Sequence, residues 1–308
     1  MDIIERIAKE LELDEKLVSR IALSADRQYR AIEIGGQKKK KRMVYQPSTE
    51  LRIIQRWCTD HLFTRLPVHE SCFSYVKNKN IAMHARAHIR GKYLARVDIR
   101  QFFPSLNRKA VLDLLNEFRT PLGLESQKDA WFISLIVTRE GNLVIGAPSS
   151  PILSNALLFD FDRKWSGKCS ELKVTYTRYA DDIYLSTEQR DILSPLLVAL
   201  KEDLITMPRF KFQINQEKDI FTSRKRRRRI TGVTLTSDER ISIGREKKRE
   251  LKAKIHKALS NGAGIEDVQS LLGMLAHIDS VEPTFAEALR KKYGETYRKQ
   301  LANLIRDY

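Results

Sequence analysis

TYTRYADDIYLST, residues 175–187, places two adjacent carboxylates between two runs that are rich in β-branched and aromatic residues. Two such runs around a short break are typical of a β-hairpin, so Asp181 and Asp182 are predicted at or near its turn. Aspartate is common in turns, and a solvated turn is one interpretation. The apolar residues beside the pair favour a partly enclosed bend, where two carboxylates repel each other unless a cation compensates them. A site for hard divalent cations, which prefer carboxylate oxygens, is the second interpretation.

The composition indicates a polyanionic partner. The chain has 308 residues, 42% of them hydrophobic, and a formal net charge of +17. This length and apolar content predict two or three packed subdomains with a sizeable core. Nucleic acid is favoured over a membrane surface, because the basic residues spread along the chain instead of lying on one amphipathic helix. No apolar run is long enough to span a bilayer, and the acidic, amphipathic N-terminus is unlike a secretory signal.

The cysteines predict a reducing compartment. Cys58, Cys72 and Cys169 are the three cysteines of the chain, and none of them forms a CxxC motif. They provide neither a disulfide framework nor a zinc site. Together with the N-terminus, they favour a location in the cytoplasm.

Hydrophobic periodicity predicts a mixed centre of strands and helices followed by a helical C-terminus. The predicted helices cover 3–31 as two helices, 49–66, 107–119, a helix that Ser150 caps before Pro151, and the chain beyond about 244. The predicted strands are a basic hairpin within 33–48, the start of 92–103, a strand before Gly146, and β-like stretches in 210–223 and 229–244. The fold class is therefore α+β with a helical appendage.

Asp98 is the candidate for a third carboxylate. Enzymes of phosphoryl transfer often use two metal ions, and such a pair needs a bridging acid from a second strand. Asp98 follows the apolar run 93–97, and an acid at the end of a buried strand is costly unless it is paired. Taken alone, Asp98 favours a helix N-cap or a salt bridge to an arginine. Together with Asp181, Asp182 and the net charge, it favours a catalytic site.

Three sequence blocks, in this order, resemble those of reverse transcriptases: VDIRQFFPSL at 97–106, GAPSSPILSNALL at 146–158 and TRYADDIYLS at 177–186. The resemblance extends from about residue 40 to 236. HARAHI at 84–89 and ITG at 230–232 are similar to two blocks of bacterial retron reverse transcriptases. The resemblance implies a right-hand polymerase. Its N-terminal helices, fingers and palm, with an antiparallel palm sheet, would cover 1–236, and a helical thumb would cover 237–308.

The resemblance also implies the catalytic residues. Asp98, Asp181 and Asp182 would be catalytic and would bind two Mg²⁺ ions, with help from the backbone carbonyl of Ile99. Ions at these positions lower the pKa of the primer hydroxyl and neutralise the triphosphate of the incoming nucleotide. The substrates would be deoxynucleoside triphosphates. Ile145 stands where the family usually has a glutamine, and this departure removes a polar side chain near that nucleotide.

Seven further residues match family positions around the incoming nucleotide. Lys40 and Arg42 would hold the triphosphate, since arginine forks suit phosphate oxygens, and a solvated basic loop is the alternative. Phe103 would floor the sugar pocket and exclude a 2′-hydroxyl. One residue of the pair Phe102 and Phe103 is expected in the core, because strand neighbours face opposite sides. A plain helix start or a solvated lysine is the alternative for the other four, which are Ala147, Pro148, Ser149 and Lys218.

Several other residues are expected to contact RNA. His84 and His88 would share one face of a helix, where packing or RNA contact is favoured over zinc, because no nearby cysteine completes a zinc site. The basic run RKRRRR at 224–229 could also be a nuclear signal or a solvated loop. Gripping of RNA phosphates by this run and by the thumb would depend strongly on salt. The other expected contacts are Arg224, Arg226, Arg227, Arg228, Arg229, Thr231, Gly232, Lys247, Lys248, Lys252 and Lys254.

The expected function is that of a retron-type RNA-directed DNA polymerase in a bacterial cytoplasm. By resemblance, it would bind a cognate structured non-coding RNA and begin DNA synthesis from a 2′-hydroxyl within that RNA. The product would be single-stranded DNA linked to RNA (msDNA), made in anti-phage defence with an effector protein encoded nearby. One alternative is an intron-derived reverse transcriptase that lost its extensions. Another is an RNA-binding scaffold that keeps the fold and does not polymerise.

Overall fold

The computed structural model of the protein describes residues 2–35 and 41–306. The α-helices in these residues are α1 (Ile3–Leu11), α2 (Glu15–Leu23), α3 (Thr49–His61), α4 (Ile81–Ala87), α5 (Arg108–Glu117), α6 (Arg119–Leu122), α7 (Gln127–Val137), α8 (Ser150–Leu157), α9 (Phe159–Glu171), α10 (Leu193–Ile205), α11 (Arg245–Asn261), α12 (Ile265–Val281), α13 (Pro283–Tyr293) and α14 (Tyr297–Arg306). The strands are β1 (Tyr29–Ile34), β2 (Arg42–Pro47), β3 (Tyr93–Arg100), β4 (Thr175–Tyr179), β5 (Asp182–Thr187), β6 (Gln213–Ile214), β7 (Ile220–Ser223), β8 (Arg228–Ile230), β9 (Val233–Leu235) and β10 (Ile241–Ser242). The fold class is α+β, as the sequence predicts.

Two compact units share the described residues. The first unit takes its residues from 1–77, 96–184 and 191–220, and the second takes them from 78–95, 185–190 and 221–308. The sequence-based boundary at residue 236 is a different division, into polymerase subdomains, and stays a prediction. In the described part of the chain, no helix combines the length and the apolar character that a membrane crossing needs.

The first unit begins with two short amphipathic helices. The side chain of Asp2 caps α1, and that of Asp14 caps α2, each by accepting a hydrogen bond from a backbone amide of the first turn. The sequence-based prediction of two helices is correct up to Leu23. Beyond it the prediction of helix to residue 31 is wrong, because the chain makes a 3₁₀ turn at 25–27 and then enters β1.

A hairpin forms where the sequence predicts one, but its first strand begins at Tyr29, before the predicted range of 33–48. β1 and β2 are antiparallel, with Tyr29 opposite Pro47 at one end and Ile34 opposite Arg42 at the other. Lys40 precedes β2 and lies outside the described residues. The hairpin is followed by α3, which Ser48 caps and which buries residues such as Leu51 in the core of the unit.

The predicted hairpin over 175–187 is also confirmed. β4 and β5 are neighbours in a five-stranded sheet of order β4-β5-β3-β6, in which β7 also pairs with β3. Asp181 lies in the turn, and Asp182 is the first residue of β5. The turn is tight because Ala180 adopts a left-handed conformation with φ of +54°. β3, the strand predicted from residue 92, is buried along most of its length and ends at Arg100.

Residues 142–150 correct two sequence-based predictions. No strand forms before Gly146. Instead, an irregular loop lies against β2, where the Tyr45 amide donates to the Ile145 carbonyl at 2.7 Å. Ser150 is not the cap of α8 but its first residue, and its hydroxyl accepts a hydrogen bond from the Val144 amide at 3.3 Å. The serine therefore ties the loop to the helix instead of ending the helix.

The second unit combines a small antiparallel sheet with helices. Its sheet has the order β10-β9-β8, and Thr231 and Gly232 form the left-handed turn between β8 and β9. Helices α11 to α14 confirm the predicted helical C-terminus. They bury one apolar face each, to which residues such as Leu251, Leu275 and Leu289 belong.

Two histidines of the second unit are completely buried. His84 on α4 and His88 just after it are both 0% exposed. Their ring centroids lie 5.8 Å apart, and His88 Nδ1 lies 2.7 Å from the hydroxyl of Ser186. Packing, one of the two interpretations that the sequence left open, accounts for both side chains.

We expect Gly146→Ala to destabilise the protein by about 2 to 4 kcal/mol in urea unfolding, from strain and overpacking together. A Cβ at this position would lie 2.5 Å from the Tyr45 carbonyl oxygen, and the residue has a φ of +110°. Gly141→Ala is the matched control, because Gly141 also has a positive φ, of +78°, but nothing lies within 4 Å of its ideal Cβ. Equal losses in the two variants would contradict a steric role for Gly146.

We expect acidification to destabilise the protein through the buried histidines. Burial lowers the pKa of His84 to about 3, and burial and His84 together lower the pKa of His88 well below 6.5. The unfolded chain takes up protons near pH 6.5 while the folded rings stay neutral. Stability is therefore fully present above pH 6.5 and is lost as the pH falls from there, at about 1.4 kcal/mol per pH unit for each histidine.

Urea unfolding of wild type and of His84→Gln between pH 7.5 and pH 4.5 measures this effect. In the variant, the free energy of unfolding should fall less steeply with falling pH, by about 1.4 kcal/mol per pH unit, because one buried histidine is gone. His256→Gln, which changes a histidine exposed on α11, should keep the wild-type dependence. The same slope in all three proteins would contradict the assignment.

Candidate active site

The structure brings the three predicted acids to one edge of the first unit. Asp98 lies on β3 and is 3% exposed, while Asp181 and Asp182 lie at the turn of the neighbouring hairpin. The amide of Ile99 donates to the carbonyl of Asp181 at 2.9 Å, so the turn is joined directly to β3. Strand pairing thus places side chains that are more than eighty residues apart in sequence next to one another.

The acids influence one another electrostatically. Burial, together with the charges of Asp181 and Asp98, raises the pKa of Asp182 to about 6, although Arg96 opposes this shift. Burial also raises the pKa of Asp181, and Asp98 adds to this shift. Because like charges disfavour ionisation, the three carboxylates need compensation by cations if all are to be charged.

Two cations and one hydroxyl group contact the acids. Lys218 Nζ lies 2.7 Å from Asp98 Oδ2. Arg96 Nε lies 3.7 Å from Asp182 Oδ1, and Arg96 Nη2 donates to the Lys218 carbonyl at 2.8 Å. Tyr184 donates its hydroxyl to Asp182 Oδ2 at 3.3 Å.

Arg96 and Tyr184 are site residues that the sequence analysis missed. A signal for both was present in the sequence. Arg96 stands two residues before Asp98, and Tyr184 stands two residues after Asp182, so strand alternation places each on the same face as its acid.

The carboxylates fit a divalent cation by their chemistry. Within residues 2–35 and 41–306, no three or more His, Cys, Asp or Glu side chains are arranged to hold a metal ion as they stand. However, Asp182 Oδ1 is buried and accepts no hydrogen bond, and burial together with the neighbouring acids raises the pKa of Asp181 and of Asp182. Hard oxygen ligands of this kind suit Mg²⁺.

Like Lys218, two more of the expected nucleotide-binding residues lie near the acids or near the strand that carries Asp98. Arg42 is exposed at the start of β2, and its charge lowers the pKa of Asp181. Phe103 is half-buried in the 3₁₀ turn that follows β3, while Phe102 is 5% exposed and stacks on Phe212. This confirms that one of the two phenylalanines belongs to the core.

Three more of the expected nucleotide-binding residues lie just before α8. Ala147 and Ser149 are buried, and Pro148 is half-buried. The hydroxyl of Ser149 is buried without a hydrogen bond. The side chain of Ile145, which replaces the usual glutamine, is 38% exposed.

Burial corrects part of the expected RNA-contacting set. Arg228 is 1% exposed and donates to the carbonyls of Gly91 and Thr236, so it fixes the backbone instead of reaching RNA. The same correction applies to the buried His84 and His88. Arg224 is half-buried, and it contacts the Glu239 carboxylate at 2.9 Å and the Arg90 carbonyl at 3.0 Å.

Three exposed cations of the second unit lie near the β8–β9 turn or near the start of α11. An ideal Cβ on Gly232 would lie 3.8 Å from Lys247 Nζ, and one on Gly244 would lie 3.1 Å from Arg227 Nη2. We call Arg227, Arg229 and Lys247 the basic cluster, and all three are exposed.

The remaining basic residues have different surroundings. Arg226 and Lys252 are exposed, and Lys254 is exposed and pairs with Glu250 at 2.8 Å. Lys248 is half-buried, pairs with Glu282 and lies over the Phe285 ring at 4.8 Å. Lys248 thus has partners within the protein, which makes it a weaker candidate for RNA than its neighbours.

Comparisons with known proteins identify the family of the chain. Residues 33–235 match the family model of reverse transcriptase (RNA-dependent DNA polymerase). The chain is 32% identical over 265 residues to the retron Ec83 reverse transcriptase of Escherichia coli, which covers 84% of this chain and 85% of that protein. It is 29% identical over 307 residues to the retron Ec86 reverse transcriptase of Escherichia coli, covering 96% of this chain and 92% of that protein.

A solved structure shows the fold at greater distance. Telomerase from Candida albicans, in complex with a fragment of telomeric RNA, aligns with a TM-score of 0.52 at 13% identity. The alignment covers 96% of this chain and 64% of that chain. The fold is accordingly the α+β fold of right-hand polymerases. With its family match and its relatives, this chain belongs to the retron reverse transcriptases, which are RNA-directed DNA polymerases.

Proposed function

We propose that this reverse transcriptase copies a cognate structured non-coding RNA into single-stranded DNA that remains linked to the RNA (msDNA). Synthesis would start from a 2′-hydroxyl within that RNA and would use deoxynucleoside triphosphates. Membership of the retron family supports the RNA-linked product. The observation that carries the catalytic part is the cluster of Asp98, Asp181 and Asp182 on neighbouring strands, each within electrostatic reach of another.

In this proposal the three acids, with the backbone carbonyl of Ile99, would hold two Mg²⁺ ions. When bound, such ions lower the pKa of the attacking hydroxyl and neutralise the triphosphate. Arg96 contacts Asp182 and keeps its carboxylate oriented on β5. Lys218 has a side chain that is 42% exposed beside Asp98, where its ammonium can supply a proton to the leaving pyrophosphate.

The nucleotide would bind against the residues around the acids. Arg42, together with Lys40, would hold the triphosphate, and the effect of Arg42 on Asp181 supports this assignment. Phe103 would pack against the sugar and leave no room for a 2′-hydroxyl. Small residues would allow close approach of the base pair, and these are Ala147, Pro148 and Ser149.

The RNA would be held by fingers and palm over 1–236 and by a thumb over 237–308. The basic cluster supplies three exposed cations for phosphates, and Arg226, Lys252 and Lys254 extend it. The net charge of +17 supports a polyanionic partner. The setting would be anti-phage defence in the bacterial cytoplasm, together with an effector protein encoded nearby.

We expect Asp181→Asn and Asp182→Asn to reduce primer extension on an RNA template with Mg²⁺ by on the order of 10²- to 10³-fold or more, because each removes a charge from the reacting centre. RNA affinity and the unfolding midpoint should stay close to those of wild type. Asp160→Asn, which changes an exposed acid on α9, is the matched control and should extend normally. An inactive wild type that binds RNA as well as Asp181→Asn does would favour the scaffold interpretation.

Sequencing of the copurifying nucleic acid tests the product in the same proteins. Wild type should carry an RNA that is covalently joined to DNA, and Asp181→Asn should carry the same RNA without DNA. DNA that is free of RNA in the wild-type preparation would refute priming from a 2′-hydroxyl and would favour another reverse transcriptase lineage.

A further inference from the structure

The turn that carries the two hairpin acids contains a conformation that its residue disfavours. Ala180 has a φ of +54° and is 6% exposed. In the left-handed region the Cβ of an L-residue approaches its own backbone, a penalty that glycine avoids. Such a conformation persists only where the surroundings determine it.

Both peptide groups of Ala180 are held by buried side chains. Its amide donates to the hydroxyl of Ser74 at 2.8 Å, and its carbonyl accepts from Arg178 Nη1 at 3.3 Å. Ser74 and Arg178 are both 0% exposed. The two hydrogen bonds therefore fix the peptide groups on both sides of the Cα of Ala180, the residue immediately before Asp181.

Arg178 is itself fixed by a buried acid. Its Nε lies 2.9 and 3.0 Å from the two carboxylate oxygens of Asp162, and its Nη2 lies 2.7 Å from Oδ2. Tyr176 donates its hydroxyl to Asp162 Oδ1 at 2.7 Å. A guanidinium held by a planar bidentate pair has a defined direction, so Nη1 remains aimed at the turn.

Ser74 is fixed by backbone contacts with the same strand. The amide of Arg178 donates to the Ser71 carbonyl at 2.9 Å, and the amide of Phe73 donates to the Arg178 carbonyl at 2.8 Å. Asn155 Nδ2 donates to the Ser74 carbonyl at 2.8 Å. The segment 71–74 therefore lies along β4, which brings the serine hydroxyl under the turn.

We propose that Ser74 and Arg178 are positioning residues, which hold Ala180 in the left-handed conformation and so direct Asp181 and Asp182 toward the reacting groups. This inference rests on the catalytic role proposed above for the two aspartates. Stability alone explains the arrangement poorly, since a buried ion pair can often be replaced by apolar side chains without loss. What apolar side chains cannot supply is the donor to the Ala180 carbonyl.

Primer extension by Ser74→Ala tests the proposal, with kcat expressed per enzyme competent to bind RNA so that unfolded protein does not contribute. We expect kcat to fall about 5- to 30-fold, the scale of one hydrogen bond, and the KM for the nucleotide to change less than about twofold. Ser134→Ala is the matched control. It removes a buried hydroxyl on α7 that donates to the Trp131 carbonyl at 2.6 Å, and it should leave kcat unchanged.

Rescue by glycine separates positioning from a merely structural role. Ala180→Gly in the Ser74→Ala background should recover kcat at least about threefold, because glycine adopts the left-handed conformation without the penalty. Two results would overturn the proposal. One is a Ser74→Ala protein with the kcat of Ser134→Ala, and the other is a loss of kcat that Ala180→Gly does not relieve.

Asp181→Asn, assayed in parallel, distinguishes this proposal from the proposed function. If Asp181→Asn extends primers like wild type, the catalytic assignment fails whatever Ser74→Ala does. If Asp181→Asn is inactive and Ser74→Ala matches its control, only the positioning role fails.

Discussion

Repulsion among three partly buried carboxylates is the constraint on which the first unit depends. Asp98, Asp181 and Asp182 meet because β5 lies beside β3, and burial first and the neighbouring acids second raise the pKa values of the two hairpin acids. Lys218 and Arg96 offset part of this shift, and both come from positions that the same sheet defines. Perturbed carboxylates of this kind are typical of functional sites, which is why the proposed function places cations and phosphates here.

The arginines of this chain fall into two physical classes. Arg178 and Arg228 are buried, and they donate to carboxylates or carbonyls that fix a turn or a loop. Arg227 and Arg229 are exposed, and the proposed function assigns them to RNA phosphates. The net charge of +17 is therefore not all available to nucleic acid, because buried arginines such as Arg178 and Arg228 hydrogen-bond within the protein instead.

Local sequence patterns predicted the helices and strands whose conformation follows from the spacing of their apolar residues. The hairpin over 175–187 and the C-terminal helices follow from alternation and from helical spacing, and both are confirmed. Burial of Arg228 within a run of six basic residues could not be read locally, because it depends on where Gly91 and Thr236 lie. The three acids became a group through sequence blocks that resemble a family, whereas alternation alone could have added Arg96 and Tyr184.

The loop before α8 shows why one departure from the family pattern leaves the contact between this loop and β2 in place. Ile145 lacks the amide of the usual glutamine, yet it is the backbone carbonyl of this residue that joins the loop to β2. Any residue at 145 can make that contact, while Gly146 must stay small because its ideal Cβ would lie 2.5 Å from the Tyr45 carbonyl oxygen. The strand that begins with Arg42 is thus attached through main-chain geometry. The substitution at 145 changes the exposed surface of the loop and leaves this attachment in place.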